Sequence, residues 1–212
     1  MTYIDTLFDI SNRVGGEVKC EYYVLFHKKH NRVICFKDKE KAIEFIKPKF
    51  RHSFSKRFLY FLITKGFHKL FFDKIVLSKK LGDVIYIANS VKSFDLEEEN
   101  VLVFKDNEED LLNDVSLQVF LSQYKFAAKV LAINQRGLYF KEELLYDEDL
   151  SIDDISKRLA QFHNLTEHQY IHGDFVSDHV KVDKDRNIKF IDWNIKQGNI
   201  TEDIKTFLEK SQ

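Results

Sequence analysis

Short runs of β-branched and aromatic residues alternate along this chain with segments of helical periodicity, which restricts it to a mixed fold of strands and helices. Residues 21–36 predict a hairpin, because two such runs flank the polar turn HKKHN. Residues 37–50 predict a short helix that ends near Pro48. In residues 55–78 the apolar spacing predicts a helix with a break at Gly66.

The same alternation continues from residue 83. Strands are predicted at 83–88 and 101–105, in a pair within 128–144, and in a hairpin over 180–190. Helices are predicted at 107–124, 151–165 and 201–210. Residues 89–100 are expected to form a polar connection. The helices predicted at 107–124 and 151–165 are each expected to bury an apolar face. These faces are Leu111, Val115 and Val119 in the first and Ile155, Leu159 and Phe162 in the second.

Composition excludes several classes of protein. The chain has 212 residues, 44% hydrophobic and 32% charged, so it can bury a sizeable core and is neither disordered nor collagen-like. Two Cys cannot build a secreted disulfide framework. No apolar run approaches the roughly 20 residues that cross a bilayer. The first residues carry acids rather than a basic stretch, so we expect no signal peptide and a cytoplasmic protein.

The net charge of −1 conceals a basic aromatic segment. Residues 47–80 hold eight Lys and two Arg against one acid, Asp73, which gives +9 and leaves −10 for the rest of the chain. The favoured interpretation is that its many Phe residues pack in a core. An anionic membrane or a phosphorylated glycan is the next interpretation, which would place the protein at the inner membrane face. Single-stranded nucleic acid also suits such a composition, but no nucleic-acid partner is expected.

The chemistry is concentrated in two short strings. Ile171-His172-Gly173-Asp174 begins the first, and His179 follows Asp174 by five residues. Asp192, in Phe190-Ile191-Asp192-Trp193, lies 18 residues after Asp174, with a predicted β-hairpin between them. Two carboxylates on either side of a hairpin suit phosphoryl transfer, which depends on positioning and on charge neutralisation.

This order of H-x-D, hairpin and second Asp resembles the catalytic region of the protein-kinase-like superfamily. The H-G-D and I-D-W forms resemble its aminoglycoside phosphotransferase-like and lipopolysaccharide kinase-like branch. The resemblance covers roughly residues 80–210. It implies an α+β, two-lobed fold with a short C-terminal lobe and an N-terminal β-hairpin and helix arm. The implied boundaries are 1–80 for the arm, packed on the small lobe, 81–145 for the small lobe and 146–212 for the large lobe.

The resemblance also assigns roles to residues. Asp174 is the catalytic group that holds or accepts the proton of the acceptor hydroxyl, and Asp192 holds Mg²⁺. Lys105 binds the ATP phosphates and is oriented by Asp114, with Glu109 in reserve. The cofactor-binding set is completed by the hinge backbone and a lysine of the phosphate-covering loop: Glu142, Glu143, Leu144 and Lys92. His172 is expected to be structural, and Asp203 to tie down the catalytic loop.

Three departures from the family keep a second function open. His179 stands where the family has Asn as second metal ligand, and imidazole binds Mg²⁺ less well than a carbonyl oxygen. The phosphate-covering loop, residues 88–94, has no Gly. Only 20 residues follow Asp192, which favours a large or exposed acceptor such as a glycolipid. We therefore expect an ATP- and Mg²⁺-dependent kinase of a sugar or glycolipid hydroxyl, with a pseudokinase-like binding module as the alternative.

Overall fold

The computed structural model describes residues 2–27, 32–47, 64 and 72–210, and within them the fold is α+β. The described part holds five α-helices: α1 (Tyr3–Val14), α2 (Lys39–Ile46), α3 (Glu108–Gln123), α4 (Ile152–Leu165) and α5 (Ile200–Lys210). It holds twelve strands: β1 (Lys19–His27), β2 (Arg32–Phe36), β3 (Asp73–Ser78), β4 (Val84–Ile87), β5 (Val91–Asp95), β6 (Asn100–Phe104), β7 (Val130–Asn134), β8 (Tyr139–Glu143), β9 (Tyr170–Ile171), β10 (Val180–Val182), β11 (Ile188–Phe190) and β12 (Lys196–Gln197).

Eight of these strands form one mostly antiparallel sheet in the order β3-β1-β2-β4-β5-β6-β8-β7. Tyr23 pairs with Phe36 in the β1–β2 hairpin, and Ile85 pairs with Ser93 between β4 and β5. The strands before residue 80 therefore belong to the same sheet as those that follow it. The four remaining strands form two small antiparallel pairs, β10–β11 and β9–β12.

The chain divides into two compact units. The first consists of Met1–Leu112 with Ala132–Glu142, and the second of Asn113–Leu131 with Glu143–Gln212. In the first unit, helix α1 buries Leu7, Ile10 and Val14 in the core under the sheet. Helix α2 packs a smaller apolar cluster against β2.

The second unit has its own aromatic core. Phe126, Phe162, Phe175 and Phe190 are all buried there, together with the apolar face of α4. Ser151 caps α4 by accepting a hydrogen bond from the backbone N–H of Asp154. The H-G-D string directly follows β9 in this unit, and the I-D-W string directly follows β11.

Most predicted elements of the described residues are present. The hairpin of residues 21–36, the helix that precedes Pro48, the strand pair within 128–144 and the hairpin of 180–190 are confirmed. The turn residues 28–31 lie outside the described residues, as does most of the helix predicted in 55–78.

The structure corrects three sequence predictions and adds one helix that was not predicted. Residues Asp73–Ser78 form strand β3 rather than the end of a helix, because they pair with β1. The polar connection of 89–100 contains strand β5, whose Ser93 is buried and accepts a hydrogen bond from the Gly82 N–H. Val119 is 39% exposed rather than buried. Helix α1 was not predicted, although Thr2 and Asp5 form a capping box at its start.

In the part of the chain that the structure describes, no helix combines the length and the apolar character needed to cross a membrane. Cys20 and Cys35 are both free thiols. Burial raises the pKa of the Cys35 thiol to about 12, so this side chain acts as a small apolar core residue.

Candidate active site

The H-G-D string lies in the second unit, on a loop that requires its glycine. Strand β9 leads into the loop and pairs with β12, so residues 192–197 run beside it. The Asn194 N–H donates to the His172 carbonyl at 3.0 Å. Gly173 has a φ of +86°, and a Cβ there would lie 1.9 Å from the Asn194 carbonyl oxygen. Only glycine fits this left-handed backbone at so close an approach.

Asp203, in the first turn of α5, holds the same loop by its backbone. Its carboxylate accepts hydrogen bonds from the His172 N–H at 2.7 Å and from the Gly173 N–H at 3.0 Å. The side chain is only 1% exposed, and His163 Nε2 lies 3.6 Å from its Oδ2. These two contacts show that Asp203 holds the H-G-D loop, as the sequence prediction expected of this residue.

His172 is a buried structural residue. Its Nε2–H donates to the Ile191 carbonyl at 3.0 Å, and Trp193 packs on the ring with centroids 4.5 Å apart. No described residue hydrogen-bonds to its Nδ1. Burial lowers the pKa of His172 to about 4, with opposing contributions from nearby acids that are too small to restore it. The ring is therefore neutral near pH 7 and joins the loop to the I-D-W segment.

The β10–β11 hairpin brings His179 and Asp192 together. Val180 pairs with Phe190, and the Ile191 N–H donates to the His179 carbonyl at 3.0 Å. As a result, His179 Nε2 lies 3.7 Å from Asp192 Oδ2. Register in a hairpin is fixed by its turn, so residues just outside the paired strands meet reproducibly.

His179 also contacts the backbone of Asp174. Its Nδ1 lies 2.7 Å from the Asp174 carbonyl oxygen. A carbonyl oxygen only accepts, so Nδ1 carries the proton of this hydrogen bond. The Nε2 atom is thereby left to face Asp192. One imidazole thus connects the loop of the first carboxylate to the side chain of the second.

Asp192 has an uncommon backbone conformation. Its φ is +55°, in the left-handed region that Asp tolerates better than most residues. The following residue, Trp193, donates from Nε1 to the Phe190 carbonyl at 2.9 Å and fixes the turn. Left-handed residues outside glycine often occur at functional sites, where the surrounding structure maintains them.

Asp174 forms an ion pair that the sequence did not indicate. Lys210 Nζ, at the end of α5, donates to Asp174 Oδ1 at 2.8 Å. This hydrogen bond lowers the pKa of Asp174, with a further contribution from the positive charge of Lys210. Thirty-six residues separate the partners along the chain, so no local pattern could have signalled the contact.

Asp192 and His179 are the predicted metal ligands, and they offer one carboxylate and one imidazole nitrogen. Mg²⁺ in nucleotide sites is often held by one or two carboxylates, with phosphates and water completing the shell. Asp192 provides such a carboxylate and is half exposed. Within the residues that the structure describes, no group of three or more His, Cys, Asp and Glu side chains is arranged to hold a metal ion by itself. His179 contributes a nitrogen, which Mg²⁺ binds less readily than oxygen.

The two lysines predicted to bind phosphates, Lys92 and Lys105, both lie in the first unit. Lys105 directly follows β6, and its backbone is fixed at both ends. Its N–H donates to the Leu138 carbonyl at 2.8 Å, and its carbonyl accepts from Arg13 Nη1 at 2.6 Å. Arg13 was not predicted, since it lies on the unpredicted helix α1. Lys92 lies in β5 and pairs with Tyr86 and Val103.

The loop predicted to cover the phosphates is shorter than expected. Of residues 88–94, only 88–90 form a turn, in which the Ala88 N–H donates to the Ser90 carbonyl at 3.1 Å. Residues from Val91 onward belong to β5. Lys92 is therefore a strand residue rather than a loop residue.

Residues predicted to form the adenine hinge divide between the units. Glu142 belongs to the first unit, whereas Glu143 and Leu144 belong to the second. The Glu143 N–H already donates to the Lys129 carbonyl at 3.0 Å, and its carboxylate accepts from the Lys129 N–H at 2.8 Å. Glu143 also lies 3.5 Å from the buried Lys189 Nζ, so its side chain has a structural role.

The remaining candidate, Asp114, is an exposed residue of α3 in the second unit. Within that unit, the His179 imidazole lies against the backbone carbonyl of Asp174 and the side chain of Asp192. Asp203 and Lys210 complete this group from α5.

Comparison of the chain with known proteins gave no match, either to a family model or to a curated sequence.

Proposed function

We propose that this protein is an ATP-dependent phosphotransferase of the aminoglycoside phosphotransferase-like and lipopolysaccharide kinase-like branch, with the two-lobed kinase-like fold. The acceptor is a hydroxyl of a sugar or glycolipid. The observation that carries the proposal is the position of His179, whose Nδ1 contacts the Asp174 carbonyl and whose Nε2 faces the Asp192 carboxylate. It links the backbone of Asp174 to the side chain of Asp192, the two residues proposed to supply the acids of phosphoryl transfer.

Asp174 binds the acceptor hydroxyl in this proposal. Its Oδ1 is held by Lys210, and its side chain is 42% exposed, so the carboxylate is accessible to a large acceptor. The hydroxyl oxygen forms a new bond to the γ-phosphorus of ATP. The bond from that phosphorus to the β–γ bridging oxygen breaks, and its electron pair leaves with ADP. The hydroxyl proton passes to Asp174, and then to solvent.

Asp192 would hold the Mg²⁺, with His179 beside it. The ion supplies charge neutralisation for the phosphate oxygens. The backbone at this position is left-handed, and the buried His172 donates to the carbonyl of the preceding residue, Ile191, which supports the proposed position of Asp192. Lys105, with Asp114 to orient it, and Lys92 are proposed phosphate contacts, and the backbone of 142–144 is the proposed adenine contact.

A thermal-shift measurement tests the nucleotide site. We expect ATP with Mg²⁺ at about 100 times its Kd to stabilise the wild type by about 2.7 kcal/mol, which corresponds to a rise in Tm of roughly 5 °C or more. ATP without Mg²⁺ should give a smaller rise. Asp192→Asn should lose the part that depends on Mg²⁺, because the amide lacks the charge that holds the ion.

Asp185→Asn is the matched control. It makes the same acid-to-amide change in the turn of the same hairpin, on an exposed residue, and should behave as the wild type. The proposed function is wrong if wild-type protein shows no Mg²⁺-dependent shift with ATP. A second test uses Asp174→Asn, which should retain the shift while its phosphate transfer to candidate glycans falls at least about 100-fold.

A pseudokinase-like binding module is the alternative. It is favoured by His179 in place of a second oxygen ligand and by the absence of Gly from residues 88–94. In that case nucleotide binds without transfer, and the basic segment 47–80 binds an anionic membrane or glycan partner. Retained MgATP stabilisation together with no transfer to any tested glycan would favour this module over the enzyme.

A further inference from the structure

The last helix of the described chain contacts the H-G-D loop along one face. Asp203, Phe207 and Lys210 are spaced i, i+4 and i+7, which places them on the same side of α5. Asp203 binds the backbone N–H groups of residues 172 and 173. Phe207 packs on Phe175 with ring centroids 5.3 Å apart. Lys210 reaches the side chain of the residue between them, Asp174.

The Lys210–Asp174 ion pair contributes little to stability by itself. The two side chains are 58% and 42% exposed, and exposed pairs of this kind are typically worth less than about 1 kcal/mol. Its effect is local to Asp174. The Lys210 ammonium occupies Oδ1 of Asp174, so the second carboxylate oxygen is left for another donor. The same ammonium favours the ionised form of the carboxylate.

We propose that Lys210 is a positioning residue for phosphoryl transfer, which fixes the Asp174 carboxylate so that its second oxygen binds the acceptor hydroxyl. This inference rests on the proposed function and adds to it a residue that the motif does not contain. The α5 face explains why the contact is formed. Asp203 and Phe207 anchor the helix to the loop. Lys210 lies on the same face, one turn beyond Phe207, and so reaches Asp174.

A transition-state mimic tests this without knowledge of the acceptor. The probe is MgADP with aluminium fluoride, which imitates the phosphoryl group in transfer, with water in place of the hydroxyl. Transition-state contacts strengthen binding of the mimic more than binding of MgADP alone. We expect Lys210→Met to weaken the fluoroaluminate complex about tenfold while MgADP affinity changes less than about twofold. Lys210→Arg should restore most of the loss.

The control and the double variant separate positioning from general damage. Lys205→Met removes an exposed lysine of the same helix that pairs only weakly with Glu209, and should leave both affinities unchanged. In an Asp174→Asn background, Lys210→Met should have no further effect, because its action passes through Asp174.

Each outcome of this experiment is decisive. The inference is overturned if Lys210→Met matches the wild type, if it binds the mimic more tightly, or if its effect persists in the Asp174→Asn background. If the wild type binds MgADP but fluoroaluminate does not strengthen that binding, the inference is also overturned, although nucleotide binding stands. If the wild type binds neither MgADP nor MgATP, the proposed function itself fails and the role of Lys210 fails with it.

Discussion

Replacement of Asp203 tests how strongly the H-G-D loop depends on its anchor in α5. The carboxylate is the acceptor for two N–H groups, those of His172 and Gly173, in a nearly dry environment. Hydrogen bonds to a charged acceptor contribute about 1.5–3 kcal/mol each, and a buried donor left unpaired costs about 1–3 kcal/mol. We expect Asp203→Ala to lower the free energy of unfolding by about 4 kcal/mol.

Asp203→Asn should cost about 2 kcal/mol, because the amide oxygen still accepts one of the two hydrogen bonds. The assay is urea unfolding followed by tryptophan fluorescence. Trp193 is the only tryptophan of the chain, and its ring packs on His172, so the signal reports on this loop. With a slope of about 2 kcal/mol/M, Asp203→Ala should move the midpoint by about 2 M.

Glu209→Gln is the control on the same helix, since Glu209 is exposed and its one ion pair among the described residues is the i,i+4 pair with Lys205. Its effect should stay within about 0.5 kcal/mol. An Asp203→Ala protein whose unfolding free energy lies within about 1 kcal/mol of the wild type would refute the reasoning. The loop would then be held by its packing and its strand pairs rather than by this carboxylate.

Two further predictions concern the same loop. The folded-state pKa of His172 is lowered to about 4 from its usual 6.5. As pH falls from 6.5 towards 4, the imidazole is therefore protonated in the unfolded chain before it is protonated in the folded one, and the free energy of unfolding decreases. This group should cost about 2 kcal/mol between pH 7.5 and pH 5 in urea unfolding, and His172→Gln should show a shallower pH dependence; equal slopes would contradict it. Gly173→Ala should cost about 3 kcal/mol or more, because its Cβ would collide with the Asn194 carbonyl. Gly15→Ala, with a φ of +64° and no atom within 4 Å of the added Cβ, should cost about 1 kcal/mol, and equal costs at the two glycines would show that the close approach is unimportant.

Local patterns in the sequence predicted most of the described elements where a periodic apolar face or a paired turn was present. Helix α1 carried the same signals, a Thr2–Asp5 capping box and an apolar stripe, and was predictable in principle. Strand β5 was not, because Ser93 is buried between two partner strands and gives no apolar alternation. Strand β3 follows a helix-like apolar run, and only its pairing with β1 makes it extended.

For the candidate site, the positions of His179 and Asp192 at the two ends of a predicted hairpin were enough to expect their proximity, because a short hairpin brings its two ends together. The contact of Lys210 with Asp174 could not be predicted in this way. It depends on how α5 packs against Phe175, which is a property of the second core rather than of any nearby residues. Arg13 contacts the Lys105 carbonyl through a similar long-range arrangement.

The left-handed backbone of Asp192 limits what mutation can leave at this position. Asn and Gly are the two replacements that adopt such a φ with little strain, and each is one base change from an aspartate codon. Under the proposed function, either replacement would keep this backbone conformation while it removed the negative charge that holds Mg²⁺. One nucleotide substitution at codon 192 would then separate the fold from the proposed activity.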